Sequence, residues 1–327
     1  MTLSRRCLLV ASCLGGLLIS STLSATPNAS GDGADDDEHF DCRILAQAEP
    51  PDTAREWFER SLWAGHCYFY EAHAVRIGHD GVRTLSLAHE VRDGIERGVA
   101  TYLDGPPMVF ERRGRVGRLG VTGENEEAPP SPAGIAERVD DLYRLQLGGE
   151  ERIANRRALR LDIVPPDSSR FGHRLWLDQA TGLTLKQVLL DESGRHLETF
   201  QLTGLDRPRL HQGEVRLDRQ REAPTDPWQL GWLPEGFAAQ PAETRSARHG
   251  EGVIHRLYSD GLATLSLFVA PIDEVELLAP GLHRLGVSHA AVRHRDLGGE
   301  SRQLVVMGEL PPRVLLRVAD SLEWEAP

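Results

Sequence analysis

Apolar and polar residues alternate in three consecutive runs near the middle of the chain, at residues 174–178, 183–190 and 197–205. Alternation with a period of two predicts strands that bury one face. Short connectors separate the runs, and the glycine that ends each one, Gly182 or Gly194, supplies the positive φ of a tight hairpin. Connectors this short make consecutive strands antiparallel neighbours. The pattern therefore predicts a curved antiparallel meander at the centre of the fold.

An amphipathic helix precedes this meander. Thr53 and Glu56 have the spacing of a capping box, in which each side chain accepts a hydrogen bond from the other residue's backbone amide. Trp57, Phe58 and Leu62 recur at helical spacing, and the helix is expected to end before Gly65. We expect its apolar face to lie on the sheet.

Other segments before the meander also alternate. They predict strands at residues 67–76, 82–91, 99–103 and 108–114, an extended run at 152–164, and a short helix at 135–142. Together with the meander and the first helix, these elements predict a β-rich N-terminal domain over residues 49–205.

The remaining part of the chain predicts a second, smaller domain. Residues 206–227 are charged, contain three prolines and lack sustained apolar periodicity, which is typical of a linker. Beyond them, Ser259-Asp260-Gly261 separates two strand-like runs and predicts a hairpin. A second hairpin is predicted at residues 287–308, and a helix starts at Pro311-Pro312. Residues 228–323 are therefore predicted to form an α+β domain.

The first 25 residues have the three parts of an export signal. Arg5 and Arg6 are its basic start, residues 8–19 its apolar core, and Ala25 ends its small-residue cleavage site. No later apolar run is long enough to span a bilayer. Residues 26–48 are acidic and poor in bulky apolar groups, which predicts a disordered leader. We therefore expect a secreted or periplasmic protein.

Charge and cysteine usage narrow the picture further. The 327-residue chain carries a net charge of −12, which argues against a nucleic-acid partner. Cleavage after Ala25 would leave Cys42 and Cys67 as the two cysteines. In an oxidising compartment they either form a disulfide or remain separate thiols, and the sequence leaves both alternatives open.

The sequence contains no recognisable catalytic constellation. It lacks a nucleophile elbow, a zinc-protease motif, a P-loop and a dinucleotide-binding loop. His283, His289 and His294 are interspersed with arginines that would repel a cation, which argues against a metal site. The residues favour a binding protein without catalytic residues, metal or cofactor, and they do not exclude an enzyme.

Two features bear on what such a protein would bind. Arg112, Arg113 and Arg115 cluster near a predicted hairpin tip and form either an anion site or a solvated surface. The predicted helix either plugs the curved sheet or leaves an apolar interior that suits an acyl chain or a peptide.

A set of short motifs occurs in a specific order along the chain. In the first predicted domain they are YLDGPP at residues 102–107, ERRG at 111–114 and LWLDxxTGL at 175–183. In the second they are WxPxGF at 232–237, YSDGL at 258–262 and GELPP at 308–312. This ordered set resembles the MucB/RseB family of periplasmic regulators of an extracytoplasmic-stress sigma factor, over about residues 52–322.

The resemblance implies both a fold and a function. It implies an α+β, β-rich protein with an N-terminal half-open antiparallel β-barrel of the LolA/LolB type, crossed by helices, and a smaller C-terminal α+β domain. It also implies a periplasmic protein that binds the periplasmic region of a single-span, MucA/RseA-like anti-sigma factor and shields it from regulated proteolysis. Lipopolysaccharide or another acylated ligand is expected to release it. Family members carry a longer, more apolar segment where this chain has the acidic residues 123–132.

Contact residues follow from this interpretation. Acyl tails are expected at Trp57, Phe58 and Leu62, and the anionic head group at Arg112, Arg113 and Arg115. The anti-sigma factor is expected at Trp232, Phe237 and Tyr258. The rival functions are a periplasmic lipid or lipoprotein carrier and a hydrolase with an unrecognised site, and the sequence leaves open whether the protein forms a homo-oligomer.

Overall fold

A computed structural model of the chain describes residues 39–92, 95–115, 131–216, 227–240, 252–272 and 277–324. The predicted signal peptide, residues 1–25, lies outside the described residues, as does most of the predicted leader. The end of that leader is not disordered, because His39–Asp41 forms strand β1 and Ile44–Gln47 forms helix α1. Both elements flank Cys42, which is fully buried and joined to Cys67 by a disulfide.

Within the described residues, the larger of the two main sheets has nine strands, all in antiparallel pairs. Its strands are β2 (Tyr68–Gly78), β3 (Gly81–Arg92), β4 (Ile95–Tyr102), β5 (Val109–Arg115), β6 (Arg144–Ile153), β7 (Arg156–Val164), β8 (Gly172–Asp178), β9 (Thr184–Leu190) and β10 (His196–Leu210). They lie in the order β5-β4-β3-β2-β10-β9-β8-β7-β6, so β5 and β6 are its edges and the described strands do not close a barrel. The predicted meander is confirmed as β8, β9 and β10, with Gly182 and Gly194 at φ +84° and +78°.

The predicted extended run at residues 152–164 was wrong in one respect. It contains a hairpin turn at Ala154 and Asn155, both at positive φ, which divides β6 from β7. Strand β6 is mostly exposed along one edge of the sheet and carries little apolar periodicity. Because its residues are mostly polar, the alternation pattern did not predict it as a separate strand.

The part of the chain that the structure describes also contains three smaller sets of strands. Strand β1 pairs with β11 (Glu214–Arg216), and β12 (Trp228–Leu230) pairs with β19 (Leu322–Trp324). The second main sheet has six strands, namely β13 (Ala238–Ala239), β14 (Ile254–Ser259), β15 (Thr264–Pro271), β16 (Gly281–Leu285), β17 (Ser288–Leu297) and β18 (Glu300–Gly308). Their order is β13-β14-β15-β18-β17-β16. Both predicted hairpins of this region are confirmed, as β14–β15 and β17–β18.

Three longer helices cover the two main sheets: α2 (Ala54–Cys67), α3 (Pro132–Leu142) and α4 (Pro312–Asp320). The predicted capping box opens α2, where the Thr53 hydroxyl accepts from the Glu56 amide at 3.2 Å and the Glu56 carboxylate accepts from the Thr53 amide at 3.0 Å. The helix continues beyond Gly65, contrary to prediction, because Ala64 and Cys67 are buried there and packing outweighs the low helix propensity of glycine.

Each main sheet has its own apolar core. Helices α2 and α3 pack on β7 and β8 of the larger sheet, while α4 packs on the smaller sheet through the buried residues Val314, Leu315, Val318 and Ala319. The segment predicted as a linker, 206–227, is extended in part, because residues 206–210 belong to β10 and residues 214–216 to β11. Residues 217–226 of that segment lie outside the described chain.

Candidate functional site

Helix α2 places the predicted acyl-chain contacts in the core. Trp57, Phe58 and Leu62 are 5%, 0% and 6% exposed, and they share a cluster with residues of β7 and β8 such as Leu161 and Leu175. The helix thus plugs this part of the sheet. A ligand would reach these three side chains only after α2 had moved away from the sheet.

The predicted head-group arginines lie on strand β5, at one edge of the larger sheet. In the register of β4 and β5, Arg112 pairs with Gly98, Arg113 with Arg97 and Arg115 with Ile95. The side chains of these three arginines lie outside the described part of the structure. The structure therefore places these three residues on an edge strand of the larger sheet.

A cavity of about 330 Å³ opens elsewhere on the larger sheet, and the sequence pattern did not single out its residues. It is lined by Phe69 of β2, by Arg209 and Leu210 of β10, and by Gln212. The volume is at the lower end of the range for small-molecule sites. Its wall combines apolar side chains with one exposed guanidinium, that of Arg209.

The two main sheets meet at a buried ion pair. Arg170, which precedes β8, lies 3.1 Å from Asp260 in the β14–β15 turn, and neither side chain has exposed surface. Tyr143 donates its hydroxyl hydrogen to the same carboxylate at 2.7 Å. Burial, followed by the negative charge of Asp260, raises the pKa of the Tyr143 phenol well above its usual value, so the phenol keeps its proton.

Local geometry explains why an aspartate occupies this turn. Asp260 Oδ1 accepts from the amides of Leu262 and Ala263 at 3.0 and 2.8 Å, which leaves Oδ2 for Arg170 and Tyr143. The turn itself packs on α3, and Leu262 joins the core of the larger sheet. One carboxylate therefore closes a hairpin of the smaller sheet and binds a cation from the larger sheet.

The three predicted partner contacts differ in accessibility. Phe237 is 8% exposed and lies beneath the Arg170 guanidinium, at 5.6 Å. Tyr258 is 6% exposed and belongs to the core of the smaller sheet. Trp232 is partly buried, and the exposed side chain of Arg317 lies 3.8 Å above its ring. Of the three, Trp232 and its arginine offer the accessible surface.

A second group of charges lies where the β2–β3 hairpin approaches the smaller sheet. Arg76 and Glu198 form an ion pair of 2.6 Å with 3% and 4% of their side chains exposed, and Asp80 contacts Arg76 at 3.1 Å. Burial, and then the charge of Glu198, raises the pKa of Glu309 to about 7. The charge of Glu309 therefore changes near neutral pH at a junction between the sheets.

Sequence reasoning missed Arg170 and Tyr143. Each is a single polar residue without a motif of its own, and they meet Asp260 only through the fold. The YSDGL motif, which includes Asp260, was the available signal, because an aspartate between a strand and a glycine satisfies a turn. Within the described residues, no group of three or more histidine, cysteine or acidic side chains could hold a metal ion.

Comparison with known proteins agrees with the motifs over most of the chain. The family model "MucB/RseB N-terminal domain" matches residues 53–224, and "MucB/RseB C-terminal domain" matches residues 222–323. The Sigma factor AlgU regulatory protein MucB of Pseudomonas aeruginosa is 34% identical over 195 residues, which span 56% of this chain and 61% of that protein. The Sigma-E factor regulatory protein RseB of Escherichia coli K12 is 24% identical over 338 residues, spanning 95% of this chain and 96% of that protein.

Solved structures extend the similarity to three dimensions. A crystal structure of MucB in complex with MucA(peri) has a TM-score of 0.64 and 29% identity, covering 84% of this chain and 100% of that one. The complex structure of Pseudomonas aeruginosa MucA/MucB has a TM-score of 0.63 and 28% identity, covering 84% and 99%. Both family models match in succession, so the chain belongs to the MucB/RseB family.

Proposed function

We propose that this protein is a periplasmic regulator that binds the periplasmic region of a single-span anti-sigma factor and shields it from regulated proteolysis. The observation that carries the proposal is the match to both family domains, together with the similarity to MucB as it occurs in its complex with MucA(peri). The predicted export signal supports the compartment. The regulator acts by binding, as its relatives are named regulatory proteins.

The junction between the main sheets supports a partner site that spans both of them. A buried ion pair such as Arg170–Asp260 is costly to break, so it favours one relative orientation of the sheets. Trp232, with Arg317 above it, is the outer contact in this proposal, since tryptophan and arginine are enriched among residues that dominate binding energies. Phe237 and Tyr258 shape the surface from beneath.

Binding to the partner is tested by calorimetric titration of the mature protein with the periplasmic segment of its own anti-sigma factor. The expected result is tight binding, together with protection of that segment from its initiating protease. Trp232→Ala should weaken binding at least tenfold, whereas Leu147→Ala, a control at an exposed apolar residue of β6, should not. A mature protein that neither binds nor protects the segment would overturn the proposal.

Release by an anionic, acylated lipid such as lipopolysaccharide is the second part of the proposal. The acyl tails would enter beside Trp57, Phe58 and Leu62 once α2 moves, and the head group would meet Arg112, Arg113 and Arg115. Charge reversal of these three arginines should weaken lipid binding steeply at low salt and less at high salt. Arg209→Glu is the matched variant, because a larger loss there would move the head group to the cavity beside Phe69.

The titration with the anti-sigma segment, repeated with lipopolysaccharide present, separates the two parts. A weaker affinity in the presence of lipid would mean that the two ligands are negatively coupled. An unchanged affinity would retain the regulator and remove the lipid sensor. A protein that binds lipid but not the anti-sigma segment would instead be a periplasmic lipid or lipoprotein carrier.

A further inference from the structure

Two histidines contact one buried glutamate at the C-terminal end of α2. His66, in the last turn of the helix, has its Nδ1 3.0 Å from Glu96 Oε2. His89 of β3 has its Nε2 2.9 Å from the other oxygen, Glu96 Oε1. Glu96 is 6% exposed and His89 is 8% exposed, so both groups are largely withdrawn from water. The cluster joins α2 to the β3–β4 hairpin.

The hydrogen-bond partners of His89 determine how many protons the cluster contains. His89 Nδ1 lies 2.6 Å from the backbone oxygen of Tyr68, and a carbonyl oxygen only accepts, so Nδ1 carries a hydrogen. A neutral imidazole then has no hydrogen on Nε2, yet Nε2 faces a carboxylate, which also only accepts when ionised. Two lone pairs would face each other at 2.9 Å. The contact therefore requires one more proton, shared between His89 Nε2 and Glu96 Oε1.

Other side chains of the described residues also contact or adjoin this pair. His66 needs only its Nδ1 hydrogen to donate to Glu96 Oε2. The ring of Tyr70, from β2, is stacked on His89 with centroids 5.4 Å apart. The charged neighbours on β3 and β4, Glu90 and Arg97, contact each other at 3.3 Å.

We propose that His66, Glu96 and His89 form a proton-dependent clamp between the end of α2 and the β3–β4 hairpin. The clamp is fully formed when the extra proton is bound, and it weakens when that proton is lost at high pH. At a pH where a free histidine is neutral and a free carboxylate is ionised, the separated groups of the unfolded chain do not hold this proton. Unfolding there releases the proton that the folded cluster shares, so folding is favoured by acid.

The clamp lies beside a disulfide, and this disulfide determines which part of the structure loosens when the clamp weakens. Cys67, the residue after His66, is joined to Cys42 by the disulfide, so the last turn of α2 stays attached to the N-terminal arm at any pH. Loss of the proton would release the β3–β4 hairpin from α2.

Glu96→Gln is the decisive variant, because an amide removes the need for the proton. Its nitrogen can donate to the neutral His89 Nε2, and its oxygen can accept from His66 Nδ1. Urea unfolding of the full chain would be measured between pH 6.5 and 9 for both proteins. Where the folded cluster holds the shared proton, the unfolding equilibrium constant of the wild type should rise with pH more steeply than that of the variant, by about tenfold per pH unit, the effect of one proton. Parallel pH dependences would overturn the clamp.

Two further measurements keep the inference testable if Glu96→Gln fails to fold. His66→Gln preserves a donor to Glu96 and leaves the His89–Glu96 proton in place, so the wild-type pH dependence should persist. If this variant lost the pH dependence, the proton would not be shared between His89 and Glu96. Nuclear magnetic resonance of labelled histidine and glutamate side chains at pH 8 reports the proton directly. A His89 with one protonated nitrogen beside an ionised Glu96 would overturn the proposal in the wild-type protein itself.

Discussion

Arg170 and Asp260 form an ion pair of 3.1 Å without any exposed side-chain surface, and they belong to segments that serve different sheets. Desolvated pairs of this kind add little net stability compared with apolar packing, yet the loss of one partner leaves a charge buried alone. The pair therefore makes the relative orientation of the sheets sensitive to a single substitution.

Asp260→Asn should strongly destabilise the protein. The asparagine oxygen can still satisfy the turn, but the buried Arg170 guanidinium loses its nearer counter-charge and keeps only the partly exposed Asp167 at 4.0 Å. We expect the free energy of unfolding to fall by about 3–5 kcal/mol, measured by urea denaturation. Glu192→Gln is the matched control, because the Arg313–Glu192 pair is 58% and 35% exposed and should contribute less than about 1 kcal/mol. Equal effects of the two variants would contradict the importance of burial.

Removal of the disulfide should also lower stability. Cys42 and Cys67 are separated by 25 residues and neither has exposed surface, so the link restricts the unfolded chain and lies within a packed cluster. The double substitution Cys42→Ser with Cys67→Ser should reduce the free energy of unfolding by about 2–4 kcal/mol. Wild-type protein unfolded in the presence of a reductant should show a similar loss. No change in either experiment would mean that the packing of the arm, without the covalent link, is sufficient.

Below neutral pH, the free energy of unfolding should depend on the protonation of His173. Burial lowers the pKa of this histidine to about 4, so the folded protein keeps it neutral while the unfolded chain takes up a proton near pH 6.5. Stability from this residue is therefore complete above pH 6.5 and falls as the pH drops toward 4. The unfolding equilibrium constant should increase about tenfold per pH unit in that window. This pH dependence of stability is opposite in direction to that of the clamp formed by His66, Glu96 and His89.

His173→Gln is the variant that checks this effect. The substitution removes the titration, and a glutamine can still accept from Gln187, whose amide lies 3.2 Å from His173 Nδ1. Acid unfolding curves of this variant should be flatter between pH 6.5 and 4 than those of the wild type. His196→Gln, at an exposed position of β10, is the control and should leave the curve unchanged. If the acid unfolding curve of His173→Gln kept the wild-type slope, another group would be responsible for the effect.

Gly182 and Gly194 offer a matched pair for the contact between the meander and α2. Both have positive φ, at +84° and +78°, so alanine strains the backbone at either position. A Cβ at Gly182 would lie 2.9 Å from Arg60 Cγ and 3.2 Å from the Arg60 carbonyl oxygen, whereas at Gly194 it would meet nothing within 4 Å. Gly182→Ala should therefore cost about 1–3 kcal/mol more than Gly194→Ala, measured by thermal or urea unfolding.

The sequence pattern predicted the elements whose apolar faces are buried. The meander, the first helix with its capping box and the helix that starts at Pro311-Pro312 all combine a clear period with turn or capping residues, so local and tertiary preferences agree there. Strand β6 was not predicted as a separate strand, because an exposed edge strand needs no apolar alternation. The end of α2 was placed too early because Gly65 is a poor helix former, while the burial of Cys67 beyond it was invisible in one dimension.

The candidate site was harder to predict for a physical reason. Helical spacing identified Trp57, Phe58 and Leu62 as one apolar face, but spacing cannot distinguish a helix that covers a sheet from one that leaves a cavity. The Arg170–Asp260 pair and the two histidines at Glu96 depend on residues brought together from different strands and loops. Such contacts have no period, and only the register of the strands reveals them.

The pairing of β1 with β11 has a consequence for how this chain reaches its native state. His39–Asp41 and its partner Glu214–Arg216 lie more than half the chain apart, so their pairing closes a long loop. Cys67 lies only 25 residues after Cys42, so the disulfide closes a much shorter loop and can hold the arm close to α2 early in folding. The covalent link thus replaces a slow search between distant segments with a short one, and the two-stranded ribbon can close last, once the larger sheet is complete.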